Sequence, residues 1–149
     1  MNETRQRADA MARAVADALL SSEGTGPVWG IEIEEAREGY ARISMRVRKD
    51  MLNGHGIAHG GMIFALADTA FAYACNSRNV STVAQQASIV FLASAREGDR
   101  LTAEAQEQSL VGRSGVYVIG VRNQKGENIA AFQGLSRSVG GEILLGGVK

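Results

Sequence analysis

The sequence predicts an α+β fold: an antiparallel sheet wrapped around one central hydrophobic helix, with an extra helix at the N-terminus. Three observations predict it. The most apolar segment, MIFALADTAFAYACNS (62–77), sits in mid-chain and is uniformly greasy. Strand-like runs flank it on both sides, and no helical period recurs after residue 80. A half-buried sheet needs a cover for its apolar face, and this helix is the segment best suited to provide one. The alternative, a β-sandwich with an incidental helix, would leave the most hydrophobic stretch without a purpose.

The elements follow in order. Ala8, Met11, Ala12, Val15, Ala16 and Leu19 recur at helical spacing, which predicts an N-terminal helix within 1–22, expected to cover an exposed edge or pocket. SSEGTGP (21–27) is a breaker-rich link. Two strands are expected around Val28–Glu35 and Tyr40–Arg48, with a turn at Glu38-Gly39. In the second, Ile43, Met45 and Val47 alternate with Arg42, Ser44, Arg46 and Arg48, so one face is buried and the other wet. NGHGIAHGG (53–61) leads into the central helix, placed at 60–77. Because that helix is apolar nearly all round, it is expected to be enclosed on most sides. Strands are then expected near Thr82–Leu92, Arg100–Leu110, Ser114–Asn123 and Glu127–Ser138. The turns REGD (96–99), VGRSG (111–115) and NQKG (123–126) separate the last four into an antiparallel meander. Nothing divides the chain, so residues 1–149 read as a single domain.

Composition narrows the function. Sixteen basic and sixteen acidic residues balance to zero formal charge, which argues against nucleic acid or an anionic membrane as the main partner. The N-terminal stretch lacks a secretory core, and the nearly apolar run 60–75 is too short to span a bilayer. A single cysteine, Cys75, allows no internal disulfide. The expectation is a cytoplasmic protein.

Asp68 is the most informative residue. A carboxylate in the middle of an apolar helix is strongly disfavoured unless it meets a polar cavity, a partner chain or water. Such groups serve as general bases or nucleophiles, and the alternative is a carboxylate satisfied by neighbouring backbone or arginine. His59-Gly60-Gly61 opens the same helix, where unpaired N–H groups and the helix dipole favour an oxygen that becomes negative. Glycine there permits close approach to the backbone, as an oxyanion hole for a thioester carbonyl requires. Gly60 and Asp68 are eight residues apart, about 12 Å along one helix axis. Each must come within about 3 Å of the reacting atoms to serve one carbonyl. One helix cannot do this. Two helices running antiparallel across a two-fold axis can, so if both residues act the protein is an obligate dimer with two shared sites. Otherwise the glycines merely let a tight loop enter the helix.

Other readings are weaker. His55 and His59 have metal-pair spacing but lie among glycines without a third ligand, so no metal and no cofactor is expected. GHGIAHG departs from the dinucleotide fingerprint at its third glycine. Cys75, within the apolar helix, reads as packing.

The stretch NGHGIAHGGMIFALADTAFAYACNS (53–77) resembles the central-helix segment of the phenylacetate-degradation (PaaI-like) hotdog-fold thioesterases, and the order of elements resembles theirs over nearly the whole chain. VGRSGVYVIGVRNQKGENIAAFQG (111–134) and SRSVGG (136–141) are similar to that family's terminal strands. The resemblance implies hydrolysis of acyl-CoA, notably phenylacetyl-CoA and hydroxyphenylacetyl-CoA, by a homotetramer built as a dimer of dimers, without a cofactor. It implies that Asp68 acts as base or nucleophile and that the Gly60 N–H, with Gly61, polarises the carbonyl. Asn53 would orient substrate or water from the partner chain. Relatives place a serine or threonine on the next strand to steer water, whereas this chain has Ala84-Gln85-Gln86-Ala87-Ser88, so Gln86 or Gln85 takes that role, with His59 beside the substrate. For the anionic CoA, Arg113 is the first choice at the pocket rim, ahead of Arg78, Arg96, Arg100 and Arg137. Two alternatives stand beside this reading: a non-catalytic acyl-CoA-binding or regulatory module, and a hydratase, for which His59 and Asp68 are poorly spaced.

Overall fold

A computed structural model describes residues 2–146 of the chain. Helix α1 (Glu3–Ser22) is capped by Asn2, whose side chain accepts from the Thr4 N–H at 3.0 Å. That bond satisfies one of the amides left unpaired at a helix start. Its stripe of Ala12, Val15 and Ala16 is fully buried. The link after it is more ordered than its composition predicts: Thr25–Trp29 form a one-turn helix, α2. Pro27 sits early in that turn, where no N–H is needed. Gly30 ends the turn at φ 68°, a left-handed conformation suited to glycine. The first strand therefore starts at Glu32 rather than Val28.

Strands β1 (Glu32–Arg37) and β2 (Tyr40–Arg46) form the expected hairpin around Gly39, at φ 71°. Ile43, Met45 and Val47 point inward and are at most 2% exposed. Ser44, on the face expected to be wet, is also buried, because an Arg100 guanidinium lies over it and donates to Oγ at 2.7 Å. A single 3-10 turn, Lys49–Met51, precedes the glycine-rich loop.

Helix α3 (Gly60–Cys75) ends two residues earlier than predicted. Asn76 stops it. Its side-chain amide donates to the carbonyls of Ala72 and Thr82, both at 2.9 Å, and its Oδ1 accepts from the Thr82 N–H at 2.9 Å. One side chain thus ties the helix end to the start of the next strand. The remaining strands are β3 (Thr82–Phe91), β4 (Arg100–Val111), β5 (Ser114–Arg122) and β6 (Asn128–Ser138).

All six strands form one antiparallel sheet in the order β1-β2-β4-β5-β6-β3. The expected four-strand meander is therefore corrected: only β4, β5 and β6 are successive neighbours. Helix α3 crosses the sheet and delivers the chain to its far edge, where β3 pairs with β6. The 92–99 segment then returns to place β4 beside β2. Ala41, Ala103 and Ala105 are fully buried on the strands under the helix, where small side chains let it approach closely.

Gly134 on β6 shows how tight that contact is. A Cβ there would lie 2.6 Å from a ring carbon of Phe71. Phe71 is 1% exposed and held between Tyr117 and Phe132, at ring-centroid distances of 5.3 and 6.1 Å. Gly134→Ala is expected to destabilise the protein by about 1–3 kcal/mol, as overpacking does. A urea melt should show a lower midpoint with unchanged slope; an unmoved midpoint would contradict this packing.

Candidate active site

Helix α3 is not enclosed on most sides within one chain. Ile63, Leu66, Ala67, Ala70, Phe71 and Ala74 are buried against the sheet. Met62, Ala65, Asp68, Thr69 and Ala72 remain partly exposed on the opposite stripe, and Gly61 is exposed. The greasy sequence thus has one face with no cover in the single chain. Asp68 lies on that face.

The Asp68 carboxylate has no hydrogen-bond or ion-pair partner among the described residues, and burial raises its pKa above the usual carboxylate value. It lines a cavity of about 320 Å³ with Phe71, Ala72 and Cys75 of α3, Leu19 and Glu23 from the end of α1, the start of β3, and Ile143. The Cys75 thiol is pushed up to about 12 by burial and by the nearby Asp68 charge. It is a packed thiol held in its unreactive protonated form.

A second cavity, of about 340 Å³, opens at the other end of the helix. Asn53 and Gly60 line it together, with Ile57, Phe91 and Ala93. Asn53 Oδ1 accepts from the N–H groups of His55, at 2.9 Å, and Ile57, at 3.3 Å. This holds the loop and leaves the side-chain NH₂ without a partner among the described residues. His59 is the N-cap of α3, and its Nδ1 accepts from the Gly61 N–H at 2.8 Å. The Gly61 N–H is therefore occupied, and the Gly60 N–H is left to face a ligand. A Cβ at Gly60 would lie 2.9 Å from the tip of the Phe91 ring, so a larger residue there would push on the ring that walls this cavity.

The two halves of the predicted chemistry thus occupy separate cavities of one chain. Asn53 and Gly60 are together; Asp68 is apart. Gln85 and Gln86 line neither cavity. They sit at a β-bulge, where the register of β3 against β6 shifts between Ala84 and Gln86, and both are exposed. Arg113 is exposed in the β4–β5 turn and also lines neither. Glu23 and Ile143 are wall residues the sequence reading missed. Glu23 lies in what reads as a link, and no local signal ties either residue to Asp68.

A six-stranded antiparallel sheet wrapped around one central helix is the architecture of the hotdog fold. The chain belongs to the thioesterase superfamily, whose family model matches residues 55–130. It is 44% identical over 128 residues to the acyl-coenzyme A thioesterase PaaI of Escherichia coli (strain K12), covering 86% of this chain and 91% of that one. The solved structure of the E. coli PaaI protein from the phenylacetic acid degradation operon superposes with a TM-score of 0.88 at 42% identity, covering 90% and 97% of the two chains. A hypothetical thioesterase protein of Streptococcus pneumoniae TIGR4, solved with coenzyme A, superposes with a TM-score of 0.73 at 28% identity, covering 75% and 90%. Among the described residues no helix is long and apolar enough to cross a membrane.

Proposed function

We propose that this protein hydrolyses acyl-CoA thioesters to the free acid and CoA, with phenylacetyl-CoA or hydroxyphenylacetyl-CoA as substrate, in the cytoplasm. The observation that carries it is the partnerless, half-buried Asp68 carboxylate on the uncovered stripe of the apolar helix, in a chain of the thioesterase superfamily. The similarity to the E. coli acyl-CoA thioesterase PaaI supports the substrate class.

The site is assembled between two copies. Asp68 of one chain meets the Asn53–Gly60 cavity of the other. Two features support that arrangement. The uncovered stripe of α3 is apolar around its one carboxylate. Strand β3 is a ten-residue edge, with Val83, Val90 and Phe91 half exposed, a surface that invites pairing with another strand. Two such dimers then pack as a tetramer.

In this site the Gly60 N–H donates to the thioester oxygen, and Asn53 holds substrate or water through its free NH₂. Asp68 either takes a proton from water as the water oxygen attacks the carbonyl carbon, or attacks that carbon itself. Both routes give a tetrahedral oxyanion stabilised at the helix start. Its collapse breaks the C–S bond, and the CoA thiolate leaves and is protonated. The water route gives the free acid at once, whereas direct attack leaves an Asp68–acyl anhydride that a water then hydrolyses to the acid and the free carboxylate. Gln86 or Gln85 steers water, His59 orients Gly61 and the loop, and Arg113 meets the CoA phosphates at the rim. The single domain read for residues 1–149 supplies each of these groups.

A thiol-release assay with aromatic, short and long acyl-CoAs tests the reading; binding without thiol release would replace it with a binding module. The pH dependence follows from Asp68. Its raised pKa means that the reactive carboxylate is lost, as pH falls, before an ordinary aspartate would be. The acid limb of kcat/KM is expected to titrate above the aspartate reference of about 3.9. A limb at or below that value would assign it to another group.

A further inference from the structure

The cavity beside Asp68 contains a second carboxylate with no part in the chemistry above. At about 320 Å³ it falls within the size range of small-molecule sites, roughly 300–1,000 Å³. Much of its wall is apolar, with Leu19, Phe71, Cys75 and Ile143 contributing. Besides Asp68 its polar side chains are Ser81, Asn76, Thr82 and Glu23. Ser81 is uncharged, Asn76 bonds the backbone of Ala72 and Thr82, and the Thr82 hydroxyl donates to the Val80 carbonyl at 2.8 Å. Glu23 differs. Its Oε1 accepts from the Tyr73 hydroxyl at 2.9 Å, and an ionised carboxylate has acceptor sites beyond that one.

Resting on the thioesterase reading, we propose that this cavity receives the acyl group and that Glu23 accepts a hydrogen bond from a hydroxyl on its ring. Glu23 is then the specificity-determining residue that favours hydroxyaryl over plain aryl acyl-CoA. An apolar cavity that reaches the reactive carboxylate accommodates an aromatic ring. A carboxylate in its wall rewards a ring that brings a donor. A ring without one leaves that carboxylate desolvated and short of a partner, which is how polar sites reject analogues lacking a hydroxyl. Burial raises the Glu23 pKa while the Tyr73 hydrogen bond opposes the rise, a balance that a second donor would shift further toward the ionised form. The same geometry gives the end of α1 a role in substrate choice.

The test compares kcat/KM for phenylacetyl-CoA, 3-hydroxyphenylacetyl-CoA and 4-hydroxyphenylacetyl-CoA. The native protein is expected to prefer one hydroxylated substrate by at least about tenfold, as a charge-assisted hydrogen bond allows. Glu23→Leu should reduce that ratio to near unity. Glu23→Gln, of the same shape but uncharged, should lower it severalfold and serves if the leucine variant does not fold. Tyr73→Phe keeps the carboxylate and should retain the preference. A ratio unchanged by both Glu23 substitutions, with all substrates falling together, would make Glu23 purely structural and overturn the proposal. Loss of the preference in Tyr73→Phe alone would overturn it in favour of the tyrosine. Equal turnover of the three substrates by the native protein overturns this proposal alone; no thiol release from any of them overturns the enzyme reading as well.

Discussion

Asp68→Asn is expected to lower kcat by at least about 100-fold with substrate binding largely retained, and to make the protein more stable at neutral pH. The two effects share one cause. The carboxylate sits on an apolar helix with no partner among the described residues, and burial raises its pKa. The folded state therefore binds the proton more readily than the unfolded state does. As pH rises from the ordinary aspartate value through the raised one, stability is lost, and above both values the full penalty is present. Asparagine carries no charge to desolvate, so its variant should melt a few degrees higher at pH 7. The gap should close below about pH 4, where aspartate is protonated in both states. Near-native turnover would remove Asp68 from the chemistry. A lower melting temperature at pH 7 would mean that the carboxylate has a stabilising partner in the assembled protein.

Restoring activity by mixing two inactive variants is the second large effect expected. Asn53→Asp keeps the side-chain oxygen that accepts from His55 and Ile57, so the loop should hold, while the NH₂ donor is lost. It should lower kcat by about 100-fold, in the range seen for deleting a donor to a developing oxyanion. Each variant alone has no intact site if Asp68 and Asn53 come from different chains. Co-expression at equal levels makes half of the dimers mixed, and each mixed dimer has one site with both native residues. Activity should return to about a quarter of native. A site contained within one chain would show no recovery above the two variants measured separately. The geometry makes that outcome hard to reach, because Asn53 and Gly60 share a cavity that Asp68 does not line.

Much of this architecture was readable from local pattern. The alternation in β2 and the periodicity of α1 are short-range features, and the elements follow them to within a few residues. The apolar run with one carboxylate marked both the central helix and the candidate reactive group on it. Where the strand reading strayed, a longer-range contact decided: Ser44 follows the polar phase of its strand, yet Arg100, fifty-six residues away, buries it. Within the candidate site, the His59 ring two residues back holds the Gly61 N–H and leaves Gly60 as the available amide. The bulge in β3 leaves Gln85 and Gln86 outside both cavities of one chain, so any part they take in steering water is played where two chains meet.

By itself, then, the sequence determined the two long helices and the six strands to within a few residues, the carboxylate on the greasy helix, and the eight-residue spacing that separates it from the glycine start. Periodicity and helix rise follow from bonds within a few residues, so they can be read along the chain. Only the tertiary structure decided that β3 lies at the far edge beside β6, and that Glu23 and Ile143 wall the cavity at Asp68. Strand neighbours pair through backbone groups that every residue carries, so nothing in the local sequence records which strand is next. A cavity wall is set by where distant segments come to rest, and that is a property of the packed chain alone.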